Sequence, residues 1–269
     1  LYWDQNTGMP KRGASWRSEQ LTYIAKILHK RNSSEEFSDL IKAAQDEFRV
    51  GLEKSLNQEI IQSKKRNIEL LIKEFNRQKN LDPKLVEALA RAKSKGYESW
   101  QEAKRKSDFK IFLPVFNQLI KLRIEEAKQI SDKYTPWETL AQPYEPDLTL
   151  EWLNKIFQPL KEIIPPLLGD LKESEKYHWD LSPKSQQNLC SKLLDEFGRD
   201  EDLVVVAKSP HPFSITLGPE DYRITTRVVE GEPLSSFLAT AHEWGHSIYE
   251  QGLPSQSHQW FAWPLGQAT

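Results

Sequence analysis

Apolar positions in the first half of the chain recur at intervals of three and four residues, which predicts long amphipathic helices. Ser33 followed by Glu36 forms a capping-box pattern at the start of one of them. Asp82 before Pro83 supplies a cap and a first-turn proline for another. The expected helices span residues 17–30, 35–48, 56–79, 83–103 and 108–132.

The pattern changes in the second half of the chain. Residues 135–147 contain three prolines and are expected to form a loop. Residues 149–173 resume a helical pattern, which we expect to be bent or interrupted at Pro159 and at the proline pair 165–166. A further helix is expected between Ser182 and Gly198, where a serine precedes proline and a glycine ends the pattern.

Two short runs of β-branched and apolar residues, 203–207 and 222–229, predict strands. They are followed by a helical pattern over 234–251, with Pro233 suited to the first turn and Gly252 to the C-terminal end. The expected fold class is therefore mainly α with a small antiparallel β element before the last helix. We expect a helical portion over 1–200 and the β element plus this helix over 201–269.

The segment His242-Glu243-Trp244-Gly245-His246 lies within that last helix and carries chemistry. Residues four apart share a helix face, so both histidines can reach one cation, and Glu243 can hydrogen-bond to its water. Zinc binds neutral imidazole and lowers the pKa of bound water to about 7. A chance match is the alternative, but the helical context favours a metal-dependent hydrolase. Gly245 costs about 1 kcal/mol relative to alanine, which suggests a close approach to the backbone.

A catalytic zinc of this type uses three protein ligands, and the third is hard to find in this chain. A longer form of this motif adds a glycine and a third histidine downstream. This chain has Tyr249 and Gly252 at those two positions, so it does not match that form. Glu250 lies about 12 Å further along the helix axis than His242 and should overshoot the metal. His258, in a loop rich in proline, serine and glutamine, is a weak candidate. The third ligand must therefore come from elsewhere.

A period of two places Asp221, Arg223, Thr225 and Arg227 on one polar face of the second strand. One interpretation is an ordinary exposed face on which the aspartate and an arginine form a weak ion pair. Between the two strands, His211 precedes a proline. Taken from the residues alone, it is an ordinary loop histidine.

Several separated motifs nevertheless occur in an order typical of one family. They are residues 1–10 with Gly13, Arg17 and Gln20, then Tyr144-Glu145-Pro146, His211-Pro212-Phe213, Gly218-Pro219, residues 221–225 and residues 242–246. In these motifs the chain resembles the M32 metallocarboxypeptidases, the carboxypeptidase Taq family. The resemblance extends from the first residue almost to the last.

The resemblance implies a gluzincin-like fold and a zinc-dependent enzyme that removes C-terminal amino acids from peptides. Zinc, or another divalent ion such as cobalt, would be bound by His242 and His246, with Glu243 as general base on the metal-bound water. The residues implied to bind or shape the substrate cleft are His211, Asp221, Arg223 and Thr225.

The resemblance also implies what this sequence lacks. In the family, a glutamate in a His-Glu-Ser/Gly-Gln motif downstream of the zinc helix completes the metal site, and residues 266–269 resemble the approach to it. Leu1 opens in the middle of a motif. We therefore expect a partial catalytic domain whose C-terminal half is missing. Its candidate partners are a second copy of the same chain, in a homodimer, or a complementary C-terminal chain.

Composition narrows the partners and the cellular compartment that can be expected for this chain. A chain of 269 residues with 38% hydrophobic content can bury a sizeable core, and a net charge of -2 gives no reason to expect nucleic acid or a membrane as partner. The single cysteine, Cys190, permits no internal disulfide and favours a reducing compartment, so we expect the cytoplasm. The rival functions are a metal-dependent oligopeptidase or endopeptidase, and a catalytically silent helical fragment that needs a complementary chain.

Overall fold

The computed structural model describes residues 1–52, 58–171, 181–218 and 220–253, and the chain is mainly helical, as expected. It forms two compact units. The first contains residues 1 and 10–141, and the second contains residues 2–9 and the chain from 142 onward. The expected helical portion over 1–200 and β element plus helix over 201–269 describe the change in secondary structure and stay a prediction about domain organisation. Among the described residues, no helix is long and apolar enough to cross a membrane.

The helices and strands follow the sequence pattern closely. The helices are α1 (Tyr2–Thr7), α2 (Ala14–Asn32), α3 (Glu35–Leu52), α4 (Gln58–Gln78), α5 (Pro83–Lys106), α6 (Leu113–Ile130), α7 (Pro136–Ala141), α8 (Leu150–Gly169), α9 (Pro183–Glu196) and α10 (Pro233–Gln251). The strands are β1 (Val204–Lys208), β2 (Ser214–Gly218) and β3 (Asp221–Thr226). Helices α1 and α7 and strand β2 were not expected from the pattern.

The cap of α3 is displaced by one residue from its expected position. Ser34, not Ser33, caps the helix, because its hydroxyl oxygen accepts from the backbone N–H of Phe37 at 3.1 Å. The Ser33 hydroxyl instead donates to the His29 carbonyl at 2.7 Å and so belongs to the end of α2. The expected capping box at Ser33 is therefore wrong.

Two other helix starts show strong capping. Asp82 accepts from the backbone N–H of Lys84 at 2.8 Å, which confirms the expected start of α5. Thr135 and Glu138 form a full capping box at the start of α7, because the backbone N–H of each is bonded to the side chain of the other, at 3.0 and 3.3 Å. With Pro136 in the first turn, this capping box starts helix α7 within residues that were expected to form a loop.

Helix α8 runs without a break through its three prolines, so of the expected bend or interruption the interruption is wrong and the bend stays a prediction. Each proline removes one N–H donor, and the remaining backbone bonds on either side keep the helix together. None of its residues is buried. Many of its large apolar side chains are exposed, including Trp152, Ile156, Phe157, Ile163, Ile164, Leu167 and Leu168.

Helix α5 is the centre of the first unit and packs against α2 and α6. Its side chains Leu85, Leu89 and Ala92 are buried. At Gly96 a Cβ would lie 3.1 Å from Leu119 Cδ1 on α6, so glycine allows the two helices to approach closely.

The sheet of the second unit has the order β1-β3-β2. β2 pairs antiparallel with β3, whereas β1 pairs with β3 in the parallel sense. The small β element is present as expected and includes an antiparallel pair, but the two strands expected from the sequence, β1 and β3, pair in the parallel sense, so the sheet is mixed. The unexpected strand β2 takes the antiparallel position at one edge of β3 and leaves the other edge to β1.

The core of the second unit lies where α9 and α10 meet the sheet. Its buried members are Leu194, Val204, Tyr222, Ile224 and Trp244, one or two from each of these elements. The thiol of Cys190 on α9 is also buried. Helix α10 contributes Trp244 to this apolar core.

Candidate metal centre

Helix α10 presents one buried and one exposed face, but apolar side chains of its sequence repeat, Leu234 and Leu238 among them, are exposed. Pro233 lies in the first turn, and the fully buried residues recur at helical spacing. Those with no accessible surface are Ser236, Thr240 and Ser247. His242 and Gly245 lie on the exposed side. A Cβ at Gly245 would meet no atom within 4 Å, so nothing in the described structure accounts for a glycine there.

The two histidines of the motif turn their rings towards one point. The Nε2 atoms of His242 and His246 lie 3.1 Å apart, with the ring planes at 89° to each other. Two nitrogens bound to one tetrahedral zinc at the usual bond length lie about 3.3 Å apart. The donor atoms are therefore arranged as a pair of ligands to one divalent ion would be.

Glu243 is buried beside the two histidines, at 8% exposure. Burial raises the pKa of its carboxyl group, and the charges of His242, His246 and His211 act against that rise. A carboxylate with a raised pKa is a better proton acceptor near neutral pH than an exposed one. The influence of His211 also means that this loop histidine lies in the neighbourhood of the motif.

The described residues contain no third ligand for this pair. No group of three or more His, Cys, Asp or Glu side chains that could hold a metal occurs within the described ranges. Glu250, further along α10, does not join the histidines, in agreement with its expected overshoot. His258 and residues 266–269 lie outside the described part of the chain.

His211 is carried by the connection between β1 and β2. Its side chain is exposed, and it stands between two prolines, of which Pro212 is buried. The loop leads into β2, which packs against α10, and the separation of His211 from residues 242–246 in the sequence gave no sign of this.

Asp221 and Arg223 form a two-point ion pair on β3. The guanidinium donates through Nε and Nη2 to the two carboxylate oxygens at 2.7 and 2.9 Å. This hydrogen bond lowers the pKa of Asp221. The guanidinium carbon also lies 5.5 Å from the ring centroid of Trp3 in α1. The ion pair expected on this strand is present, and it is anchored to the N-terminal motif.

Thr225 differs from the rest of the polar face because it has no exposed surface. Its hydroxyl oxygen accepts from the Phe213 N–H at 2.9 Å and lies 2.6 Å from the hydroxyl oxygen of Ser209. At this position the interpretation as an ordinary exposed strand face does not apply.

A buried polar cluster that the sequence did not predict fixes α10 to its neighbours. Gln186 on α9 donates to the Val229 carbonyl at 3.1 Å and accepts from the Ser236 hydroxyl at 2.9 Å. The Val229 N–H in turn donates to the Ser236 hydroxyl oxygen at 3.2 Å. One sequence feature could have predicted this cluster: small polar residues recur at helical spacing along α10, at Ser236, Thr240 and Ser247.

Comparison with known proteins agrees with the motifs. A profile of the carboxypeptidase Taq (M32) metallopeptidase family matches residues 1–269. Carboxypeptidase 1 of Bacillus subtilis is 30% identical over 259 residues, which cover 94% of this chain and 50% of that protein.

Solved structures show the same similarity. The crystal structure of the protein BsuCP has a TM-score of 0.82 at 29% identity, covering 94% of this chain and 50% of that one. Metallocarboxypeptidase 1 of Trypanosoma cruzi has a TM-score of 0.76 at 27% identity, covering 97% and 52%. The chain thus spans about half the length of the relatives it matches.

Proposed function

The chain belongs to the carboxypeptidase Taq (M32) metallopeptidase family, and from that premise we propose that it carries the histidine pair and the base of a metal-dependent carboxypeptidase. The observation that supports this most directly is the 3.1 Å separation of the Nε2 atoms of His242 and His246. This separation also allows one ring to donate an N–H···N hydrogen bond to the other, and a bound ion would replace that bond by accepting both nitrogens as ligands.

Zinc is the proposed ion, with cobalt as another divalent candidate. Both imidazoles can present Nε2 to it, and their separation fits tetrahedral coordination. When bound, such an ion makes water a nucleophile at neutral pH and polarises the peptide carbonyl. His242 and His246 would supply two of the three protein ligands.

Glu243 is the proposed general base. Its carboxylate is buried next to the histidine pair, and its raised pKa suits a group that takes a proton from the attacking water and delivers it to the leaving amine. The neighbouring imidazole charges favour the ionised form. These opposing influences support a role in proton transfer.

The substrate side of the site is proposed to involve His211, Asp221, Arg223 and Thr225. His211 is exposed and can donate to a peptide carbonyl or a terminal carboxylate. Arg223 is partly neutralised by Asp221 and held against Trp3, so it is fixed in direction rather than free to follow a ligand. Thr225 is fully buried and would act by holding its surroundings.

A second candidate function is a fragment that is active only with a complementary chain. Two observations favour it: the described residues contain no third metal ligand, and α8 exposes a row of large apolar side chains. Exposed apolar surface of this extent usually marks an interaction site. A second copy or a complementary C-terminal chain could cover it.

The single, buried Cys190 supports a reducing compartment such as the cytoplasm.

The deciding experiment combines metal affinity with hydrolysis. Zinc and cobalt binding would be measured by titration calorimetry for the unchanged chain, Glu243→Gln and His242→Ala. We expect Glu243→Gln to retain the metal and His242→Ala to lose most of the affinity. An N-blocked dipeptide with a free C-terminus is the substrate, and its C-terminal amide is the matched control, because only a carboxypeptidase requires the free carboxylate.

The outcomes separate the candidates. Stoichiometric metal with hydrolysis that Glu243→Gln lowers about 10²- to 10⁴-fold supports the carboxypeptidase. Equal hydrolysis of the amide favours an endopeptidase. A folded chain that binds no metal and hydrolyses neither peptide favours the fragment that needs a partner.

A further inference from the structure

We propose that Ser209 is a positioning residue that fixes the loop 209–213 and thereby directs His211 towards the metal centre. The role rests on the proposed function, because it matters only if His211 acts on a substrate. Ser209 belongs to none of the motifs in the sequence, and it is buried at 8% exposure just after β1.

The Ser209 hydroxyl makes two short contacts. Its oxygen lies 2.6 Å from the carbonyl oxygen of His211 and 2.6 Å from the hydroxyl oxygen of Thr225. A hydroxyl has one proton to donate, and a carbonyl can only accept. Both short contacts are satisfied when Ser209 donates to the His211 carbonyl and Thr225 donates to Ser209 rather than to the Phe213 carbonyl, which lies farther from its hydroxyl at 3.3 Å.

Thr225 continues this chain of hydrogen bonds into the strand. Its hydroxyl oxygen accepts from the backbone N–H of Phe213 at 2.9 Å. The hydrogen bonds therefore run in one direction, from the Phe213 amide through two buried hydroxyls to the His211 carbonyl. Such chains polarise one another, which strengthens each bond beyond its isolated value.

Backbone hydrogen bonds hold both ends of the loop to β3. The N–H of Ser209 donates to the Thr226 carbonyl at 3.1 Å, and the N–H of Thr225 donates to the Phe213 carbonyl at 2.8 Å. The loop is thus attached where it leaves β1 and where it enters β2. The hydroxyl of Ser209 adds an attachment at His211, close to the middle of the loop.

The prolines on either side of His211 explain why a side chain is needed there. Pro210 and Pro212 have no backbone N–H, and each restricts the residue before it to extended conformations. The loop is therefore stiff but poor in donors of its own. A hydroxyl from Ser209 supplies a donor to the His211 carbonyl, which sets the orientation of the peptide that carries the imidazole.

The location of His211 gives this orientation a consequence. The imidazole is exposed, yet its charge acts on the buried carboxyl of Glu243. The loop that carries it leads into β2, and both β2 and β3 pack against α10, the helix of the histidine pair. A small rotation of the loop would move the ring away from the position a substrate carbonyl would occupy, and such displacements cost catalysis heavily.

The test follows the His211 ring directly in the 269-residue chain. Histidine ring signals would be recorded by NMR on protein labelled at its six histidines, with His211→Ala to assign the signal. We expect Ser209→Ala to shift or broaden the His211 signal, and Ser209→Thr, which keeps the hydroxyl, to restore it. Thr225→Val breaks the same chain from its other end and should give the same change.

Thr22→Val is the matched control. Thr22 is buried at 4% exposure, and its hydroxyl donates to the Ser18 carbonyl at 2.7 Å, far from His211 in sequence and within the first unit. Like Ser209→Ala, it should lower the melting temperature by about 2–4 °C, but it should leave the His211 signal unchanged. An unchanged His211 signal in folded Ser209→Ala and Thr225→Val would overturn the proposal.

Hydrolysis of the blocked dipeptide separates this proposal from the proposed function. If Ser209 acts through His211, kcat/KM should fall in Ser209→Ala and in His211→Ala, and the double variant should be no worse than His211→Ala alone. Additive losses would contradict action through His211. A His211→Ala variant with unchanged kcat/KM would remove the substrate role of His211, while the NMR result would still decide whether Ser209 positions it.

Discussion

The hydroxyl oxygens of Thr226 and Thr240 lie 2.6 Å apart between β3 and α10, and both residues are buried. Thr240 also donates to the carbonyl of Ser236 in its own helix at 2.9 Å. Its proton is thereby occupied, and its oxygen is left to accept from Thr226. The two hydroxyls thus connect the strand to the helix that bears the metal motif.

Removing one member of this pair should destabilise the second unit unequally. Thr240→Val leaves the Thr226 hydroxyl buried without its acceptor and should cost about 1–3 kcal/mol in the free energy of unfolding. Thr226→Val should cost less, because Thr240 keeps the Ser236 carbonyl as its acceptor. Urea denaturation of both variants and of the double Val variant measures this, and the double variant should recover part of the loss. Equal, additive losses would contradict the assignment.

Trp3 should contribute to stability through its contacts in the second unit. Its ring lies under the Arg223 guanidinium and edge-on to Phe213, at 5.5 and 5.7 Å. Trp3→Leu should lower the free energy of unfolding by about 1–2 kcal/mol, since it removes a cation–π and an aromatic contact. Trp16→Leu is the control, because that ring is 70% exposed and its loss should cost under about 0.5 kcal/mol. Similar costs for both variants, measured in urea, would argue against the packing described for α1.

The ion pair of Asp221 with Arg223 should make stability depend on pH in the acid range. The pKa of Asp221 is lowered in the folded chain by its hydrogen bond with Arg223. Its contribution is therefore complete above the unfolded value of about 3.9 and is lost as the pH falls through the folded value. The difference in unfolding free energy between the unchanged chain and Asp221→Asn should persist at pH 7 and shrink below about pH 4.

Asp39→Asn provides the comparison for that titration. Asp39 pairs with Lys42 on the surface, with both side chains mostly exposed. Such pairs contribute little, so this substitution should change stability only slightly at every pH. A stability difference for Asp221→Asn that grows as the pH falls would have the wrong sign for the proposed ion pair.

Gly245→Ala should stabilise the isolated chain. A Cβ at this position meets nothing within 4 Å, and alanine is favoured over glycine in a helix by about 1 kcal/mol. Thermal unfolding should therefore occur at a higher temperature. If a substrate or another polypeptide approaches the backbone here, the same variant should lose hydrolysis or association while gaining stability. A loss of stability would mean that α10 is more crowded at Gly245 than described.

The exposed face of α8 should cause association. Ile163 and Leu167 are 61% and 59% exposed on this helix, and their burial between molecules removes apolar surface from water. Sedimentation velocity should show the chain self-associating, and Ile163→Lys with Leu167→Lys should shift it towards monomer. Leu40→Lys is the control, because this equally exposed side chain lies on α3. A monomer at all concentrations would contradict the expectation.

Features that depend on neighbouring residues could be predicted from the sequence, and α10 is the clearest case. Its expected range of 234–251 differs by one residue from Pro233–Gln251, because the apolar repeat, the proline and the glycine all lie within the helix or beside it. Helix α7 was missed although Thr135 and Glu138 have the spacing of a capping box. Its prolines were given more weight than this signal.

Features that depend on distant residues could not be predicted in the same way. The parallel pairing of β1 with β3 joins strands between which β2 lies in the sequence, and the alternation of β2, Ser214-Ile215-Thr216-Leu217, is too short to predict its position in the sheet. The burial of Thr225 depends on Ser209 and Phe213, which reach it only after the sheet forms. The period of two assigned Thr225 to the correct face of the strand but could not indicate what would cover that face.

The packing of α1 has a consequence for synthesis of the chain. Tyr2 and Trp3 contact Phe213 edge-on at 5.3 and 5.7 Å, although about 210 residues separate them in the sequence. At typical translation rates the ribosome needs roughly 10–40 s to add those residues. The motif that contains Tyr2 and Trp3 is therefore made well before the ring it packs against, and its aromatic side chains remain accessible to chaperones throughout that interval.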